Sequence, residues 1–83
     1  MAFKRDTLLS FEAVLLELER VDTMHTSYRN ENEAIGVLLE EFDELKREML
    51  VTHNFHAAKA EAIQVAAVAI RIAEFCEEME AKR

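Results

Sequence analysis

The chain has 83 residues, of which 51% are hydrophobic and 33% charged, with one glycine and no proline. A sheet protein needs more turn-forming residues than this, so the composition predicts a single helical domain spanning residues 1–83. The formal net charge of −7 at pH 7 argues against nucleic acid as a partner, whereas metal ions and metal-bound ligands remain attractive ones.

A domain of this size barely offsets its lost conformational entropy by burying its own apolar surface. A single Cys76 cannot form a disulfide within the chain, and no cysteine and histidine set has the spacing of a structural zinc site. We therefore expect self-association into a dimer or tetramer. The start of the chain does not resemble a signal peptide, and the longest apolar stretch, Ala62 to Ala73, is too short to span a bilayer. These features predict a cytoplasmic protein without a membrane partner.

The first predicted element is an amphipathic helix. Leu8, Phe11, Leu15 and Leu18 recur at steps of three and four, which is the period of one helix face. Glu17 and the other charged residues of this segment are expected to face away from that apolar side. The apolar pattern then stops, and a polar connection follows.

A capping signal marks the start of the second predicted helix. Asn30 is followed three residues later by Glu33, so the Asn side chain can accept a free backbone amide while the Glu reaches back. Apolar residues at the same three-four rhythm then predict a packing seam. The seam residues are Ile35, Leu38, Phe42, Leu45 and Met49.

The third predicted helix runs from about His56 to Glu80 and is apolar around most of its circumference. Such a helix is usually surrounded by other helices, which favours an assembly over a monomer. We therefore predict an all-α fold of three helices, in which helices two and three form an antiparallel hairpin and oligomerisation completes a helical bundle.

Two pairs of oxygen-bearing side chains stand out in the last two helices. Glu41 and Glu44 lie three residues apart, as do Glu61 and Gln64, so each pair shares one helix face. In an antiparallel hairpin, one register brings all four to the same height and centres the turn within residues 51–54, where the apolar pattern breaks.

Three carboxylates held together repel one another unless a cation compensates them. Oxygen ligands without Cys or a suitable His favour Mg²⁺ or Mn²⁺ over zinc and leave open positions for substrate phosphates. The alternative is that these acids are ordinary solvated surface. Phe42, beside the acids of helix two, and Ile63, between Glu61 and Gln64, favour the edge of a packing seam.

Two segments resemble the MazG-like, all-alpha nucleoside triphosphate pyrophosphohydrolase superfamily, which also includes dimeric dUTPases. They are residues 34–45, AIGVLLEEFDEL, and residues 61–69, EAIQVAAVA. The resemblance covers helices two and three, roughly the last two-thirds of the chain. The family pattern ends in Asp, and Gln64 stands at that position here.

The resemblance implies that Glu41, Glu44 and Glu61 are Mg²⁺ ligands and that Glu41 and Glu44 are catalytic. Gln64 could offer only a neutral carbonyl oxygen or an outer hydrogen bond. In the family reaction, water attacks a metal-bound nucleoside triphosphate between the alpha and beta phosphorus atoms and gives a monophosphate and pyrophosphate. The alternatives are a module that binds metal or nucleotide without turnover, and a purely structural oligomer.

Lys46, Lys59 and Arg71 are the predicted substrate-binding residues. Arg71 lies two turns beyond Gln64 on nearly the same face, where a guanidinium suits bidentate phosphate contact. Pairing of Arg71 with an acid on a neighbouring helix, and simple solvation of the two lysines, are equally open interpretations.

The polar connection between helices one and two offers a possible base-binding pocket. His25, Tyr28, Arg29 and Asn30 could stack on a base or hydrogen-bond to it, but the polar composition of a loop explains these residues equally well.

Overall fold

The computed structural model describes residues 3–22 and 27–82 of the chain. Within these ranges all regular secondary structure is helical, with α1 at Arg5–Asp22, α2 at Glu31–Leu50 and α3 at Phe55–Ala81, and there is no strand. The predicted all-α class and the three helices are therefore confirmed. In the described part of the chain, no helix combines the length and the apolar character needed to cross a membrane.

Helix α3 is the central element of the fold. It packs against both α1 and α2, whereas no Cα atom of α1 lies within 8 Å of one in α2 among the described residues. The core is built mainly from small side chains and one aromatic ring, which lets the helices approach closely. Its members are Val14, Ala34, Ala58, Ala67, Val68 and Phe75.

Helix α1 does not use its predicted apolar face to pack on α3. Val14 is buried and Glu17 is half-buried, whereas Leu8, Phe11 and Leu15 face solvent. The prediction that Glu17 faces away from the core is therefore wrong. Helical periodicity identifies an apolar stripe, but only the tertiary contact with α3 decides which side of the helix is covered.

The start of α2 follows the predicted capping pattern with one difference. The Asn30 side chain accepts a hydrogen bond from the Glu33 backbone amide at 2.9 Å, which satisfies a free amide of the first turn. The Glu33 carboxylate reaches back to the backbone amide of Arg29 at 3.2 Å instead of that of Asn30. It also accepts from the Arg29 guanidinium, with 2.6 Å between Nε and Oε2.

Four residues connect α2 to α3, at the position where the apolar pattern breaks. His53 adopts a positive φ of 52°, the left-handed conformation that a non-glycine residue rarely takes. Asn54 then caps α3, because its side chain accepts from the Ala57 backbone amide at 3.0 Å. A residue in the left-handed conformation and a capping asparagine thus separate the end of α2 from the start of α3.

The predicted seam of α2 is only partly covered. Leu38 and Leu45 are half-buried, whereas Ile35, Phe42 and Met49 on the adjoining side of the helix are exposed. Within residues 3–22 and 27–82, α3 is the one helix that packs on α2, and it covers one side of it, so the remainder of the seam faces solvent.

Candidate functional site

Three glutamates from two helices converge at the contact between α2 and α3. Glu41 and Glu44 of α2 and Glu61 of α3 each offer one carboxylate oxygen, and these oxygens all lie within 4.8 Å of one another. Glu41 and Glu61 are half-buried, and Glu44 is exposed. We call these three residues the acidic cluster. Their expected convergence is thus found in the structure.

The acidic cluster is electrostatically strained. Burial, followed by the nearby carboxyl groups of Glu44 and Glu41, raises the pKa of Glu61 to about 7. Burial and then the charge of Glu44 also raise the pKa of Glu41. Oxygen Oε2 of Glu61 is buried, and no hydrogen-bond donor among the described residues reaches it. Protonation of Glu61 would relieve this repulsion, because the protonated carboxyl group can donate a hydrogen bond to Glu41 or Glu44. An added cation would relieve it as well.

A fourth carboxylate approaches the cluster from α1. The side chain of Glu17 is only 14% exposed and pairs with Arg20, with 3.1 Å between Nε and Oε1. The hydrogen bond from Arg20 lowers the pKa of Glu17, burial opposes this, and a hydrogen bond with Gln64 adds to the lowering. The negative charge of Glu17 in turn contributes to the raised pKa of Glu41. Glu17 and Gln64 therefore lie near each other at the edge of the acidic cluster.

A cleft of about 360 Å³ opens beside the acidic cluster, with α3 as its floor and α1 and α2 as its walls. Glu41 belongs to both the cluster and the cleft. The volume lies within the usual range for a small-molecule pocket. The described residues that line it are Arg20, Val21, Ser27, Tyr28, Arg29, Glu33, Val37, Glu41, Gln64, Ala67, Val68 and Arg71.

The far end of the cleft combines an aromatic ring with guanidinium groups. The Tyr28 ring packs edge-on against the buried Phe75, with 6.2 Å between ring centroids. The guanidinium carbon of Arg71 lies 6.0 Å from the Tyr28 centroid, at cation–π distance. Burial raises the pKa of Tyr28, while the charge of Arg71 partly opposes this. Phe75 thereby fixes the orientation of a ring that faces the cleft.

The structure distributes the predicted substrate-binding residues over two places. Arg71 lines the cleft. Lys46 lies on the exposed surface, with its Nζ 4.0 Å from Asp43 Oδ1 and 5.8 Å from the centroid of the Phe42 ring. Lys59 is exposed as well, and the cleft as the described residues define it includes neither lysine. The roles of the two lysines remain predictions.

The possible base-binding pocket is brought together in part. Tyr28 and Arg29 line the cleft, whereas Asn30 caps α2 and His25 lies outside the described residues. Sequence reasoning missed Glu17, and its half-buried position could not be read from the α1 pattern. The weak signal available was its spacing of three residues from both Val14 and Arg20.

Comparison of the chain with protein-family models, curated proteins and solved structures finds no match. The functional argument therefore rests on the residues and their geometry.

Proposed function

We propose that this protein is a nucleoside triphosphate pyrophosphohydrolase that uses Mg²⁺ or Mn²⁺ and converts its substrate to a monophosphate and pyrophosphate. The observation that carries the proposal is the convergence of Glu41, Glu44 and Glu61 at the edge of a cleft lined by arginines and a tyrosine. The cluster supplies ligands for a divalent cation, and the cleft supplies contacts for an anionic, ring-bearing molecule.

The donor set of the acidic cluster fits such a cation. All three ligands are carboxylates, which are hard oxygen donors of the kind that Mg²⁺ and Mn²⁺ prefer. The buried Oε2 of Glu61, which lacks a donor, has the lone pairs that a cation would use. When bound, the ion would neutralise the charge that develops on the phosphates during hydrolysis.

Glu41 is the best-placed residue to act on water. It is the one cluster member that also lines the cleft, so its carboxylate lies between the cation ligands and the space for substrate. A carboxylate in this position can orient a water molecule and accept its proton. Glu44 is the second proposed catalytic carboxylate and fixes the position of the cation.

The cleft would hold the remainder of the nucleotide. Arg29 and Arg71 carry guanidinium groups suited to phosphate oxygens, and the Tyr28 ring, which also lines the cleft, offers an aromatic contact for a base. Gln64 brings no charge, so we propose that it does not bind the cation directly. It would instead support the site through Glu17, whose charge lies near Glu41. Lys46 and Lys59 would contact only a substrate that extends beyond the cleft.

The proposal includes the antiparallel arrangement of α2 and α3 and an oligomeric bundle. The short connection at residues 51–54 and the meeting of Glu44 with Glu61 support the first. The large apolar side chains exposed on α1 and α2 support the second.

A module that binds metal or nucleotide without turnover is the second candidate. The observation that favours it is Gln64, because a neutral amide stands where the resembled family has a fourth carboxylate. Loss of that charge weakens cation binding and reduces catalysis before it affects the fold.

Pyrophosphate release tests the proposal. Canonical, deaminated and oxidised nucleoside triphosphates are screened with Mg²⁺, using the wild type, Glu41→Gln and the control Glu74→Gln, which removes an exposed charge elsewhere on α3. We expect release by the wild type and the control, and a loss of about a hundredfold or more in Glu41→Gln. No release from any nucleotide, combined with stabilisation by Mg²⁺, would support the module without turnover.

A further inference from the structure

Helix α1 carries a row of exposed apolar side chains that no described part of the chain covers. Leu8 and Phe11 are each 52% exposed and Leu15 is 64% exposed, and Leu18 continues the row as a half-buried residue. We call these four residues the α1 stripe. Their steps of three and four are those of a coiled-coil seam. Phe3 extends the patch, because its ring packs edge-on against Phe11 with 5.6 Å between centroids.

The α1 stripe lies about a quarter turn from the buried side of α1, which carries Val14, at 100° per residue. Helix α3 therefore leaves most of the stripe open, and the described backbone of α2 stays more than 8 Å from that of α1, measured between Cα atoms. An apolar row of this length on a small protein is typical of an interaction surface.

The exposed area of the chain is large enough for a stable interface. The accessible surface is 6665 Å², whereas a compact monomer of 9.6 kDa exposes about 5,100 Å². The excess of about 1,600 Å² is roughly twice what each partner contributes to a standard interface. The chain can thus bury one such surface and still expose as much area as a compact monomer of its size.

We propose that a second copy of this chain covers the α1 stripe by packing its own α1 antiparallel to the first, around a two-fold axis. In this register Leu8 lies against Leu18 of the second copy and Phe11 against Leu15, and symmetry repeats both layers. The inference concerns a surface remote in sequence from the acidic cluster and does not depend on the proposed hydrolysis.

Charge along the edge of the α1 stripe fixes the direction of this pairing. Arg5, Glu12 and Glu19 are exposed and follow one another at intervals of seven residues, so they line a single edge. An antiparallel pair brings Arg5 near Glu19 of the second copy, twice by symmetry, whereas a parallel pair loses both contacts. Glu12 lies near the two-fold axis and faces Glu12 of the second copy, which makes a like-charge contact.

The mass of the full chain in solution tests the interface. We expect Leu15→Lys to halve the mass measured by light scattering at tens of micromolar protein, with the helical circular dichroism retained. The matched control is Leu16→Lys, since Leu16 is the next residue, is 59% exposed and lies off the stripe. A monomeric wild type, an unchanged mass for Leu15→Lys, or an equal loss in Leu16→Lys overturns the proposal.

Charge exchange tests the register without placing a charge in the seam. Arg5→Glu and Glu19→Arg should each weaken association at low salt, roughly tenfold, and the double variant should restore it. Glu12→Gln should tighten association by removing the like-charge contact. A double variant that associates as weakly as the single variants overturns the antiparallel pairing.

Discussion

The acidic cluster and the α1 stripe depart from ordinary side-chain environments in opposite ways. In the cluster, carboxylates that are usually solvated are partly buried, and in the stripe, apolar side chains that are usually buried face solvent. A proton or a cation relieves the first mismatch, so its energetics follow pH and metal. Only apolar contact relieves the second, so its energetics follow protein concentration. The two regions can therefore be separated by experiment.

The largest effect on the free energy of unfolding is expected when a phenylalanine is replaced by alanine in the core, compared with the same replacement in the α1 stripe. Phe75→Ala removes a side chain that is 4% exposed and supports Tyr28, so we expect a loss of about 3–5 kcal/mol in the free energy of unfolding. Phe11→Ala, in the stripe, should cost far less at low protein concentration and more as concentration rises. Denaturant titrations at two concentrations measure both. Equal losses for the two variants at low concentration would contradict the comparison.

A smaller effect is expected from pH. Because the pKa of folded Glu61 is raised from 4.5 to about 7, the folded state binds more protons than the unfolded state between these values. Without a divalent cation, stability should therefore fall as pH rises from about 4.5 to 7, by an amount on the order of 1 kcal/mol. The lowered pKa of Glu17 acts in the opposite direction and only below about pH 4.5.

Glu61→Gln tests this dependence, because it keeps the side-chain shape and removes the charge. The variant should lose most of the fall in melting temperature over this window, with the remainder due to Glu41, and should exceed the wild type in stability at pH 7.5 without metal. Glu74→Gln, which removes an exposed charge from the same helix, should behave as the wild type. A fall of equal size in Glu61→Gln would assign the pH dependence to other groups.

The smallest effect concerns the short connection between α2 and α3, the two helices that carry the acidic cluster. His53→Gly should stabilise the fold by about 0.5 kcal/mol, because glycine adopts the positive φ of 52° without strain but costs more entropy on folding. Thr52→Gly is the control and should destabilise the fold, since it loses the hydroxyl that donates to Glu48. Destabilisation by His53→Gly in thermal melts would contradict this account of the connection.

Local features of the fold were predictable from the sequence. The Asn30 cap and the break at residues 51–54 depend on residues close together in the chain, and both occur where predicted. The meeting of Glu41 and Glu44 with Glu61 followed from helical spacing together with a short connection.

The remainder of the site depends on tertiary contacts that periodicity does not encode. Which side of α1 meets α3 decides that Glu17 is half-buried and bonded to Gln64. The position of Tyr28 depends on tertiary packing as well, since its ring lines the cleft and packs edge-on against Phe75 of α3. Neither relation leaves a repeating signal in the sequence.

Direct titration with Mn²⁺ tests the central claim that the three glutamates form a cation site. Free Mn²⁺ is followed by electron paramagnetic resonance at pH 7.5 in the wild type, in Glu44→Gln and in Asp43→Asn, which removes one exposed charge from the neighbouring residue. We predict saturable binding in the wild type and in Asp43→Asn and its loss in Glu44→Gln. Absence of binding in the wild type, or equal binding in all three proteins, would contradict the assignment of the site.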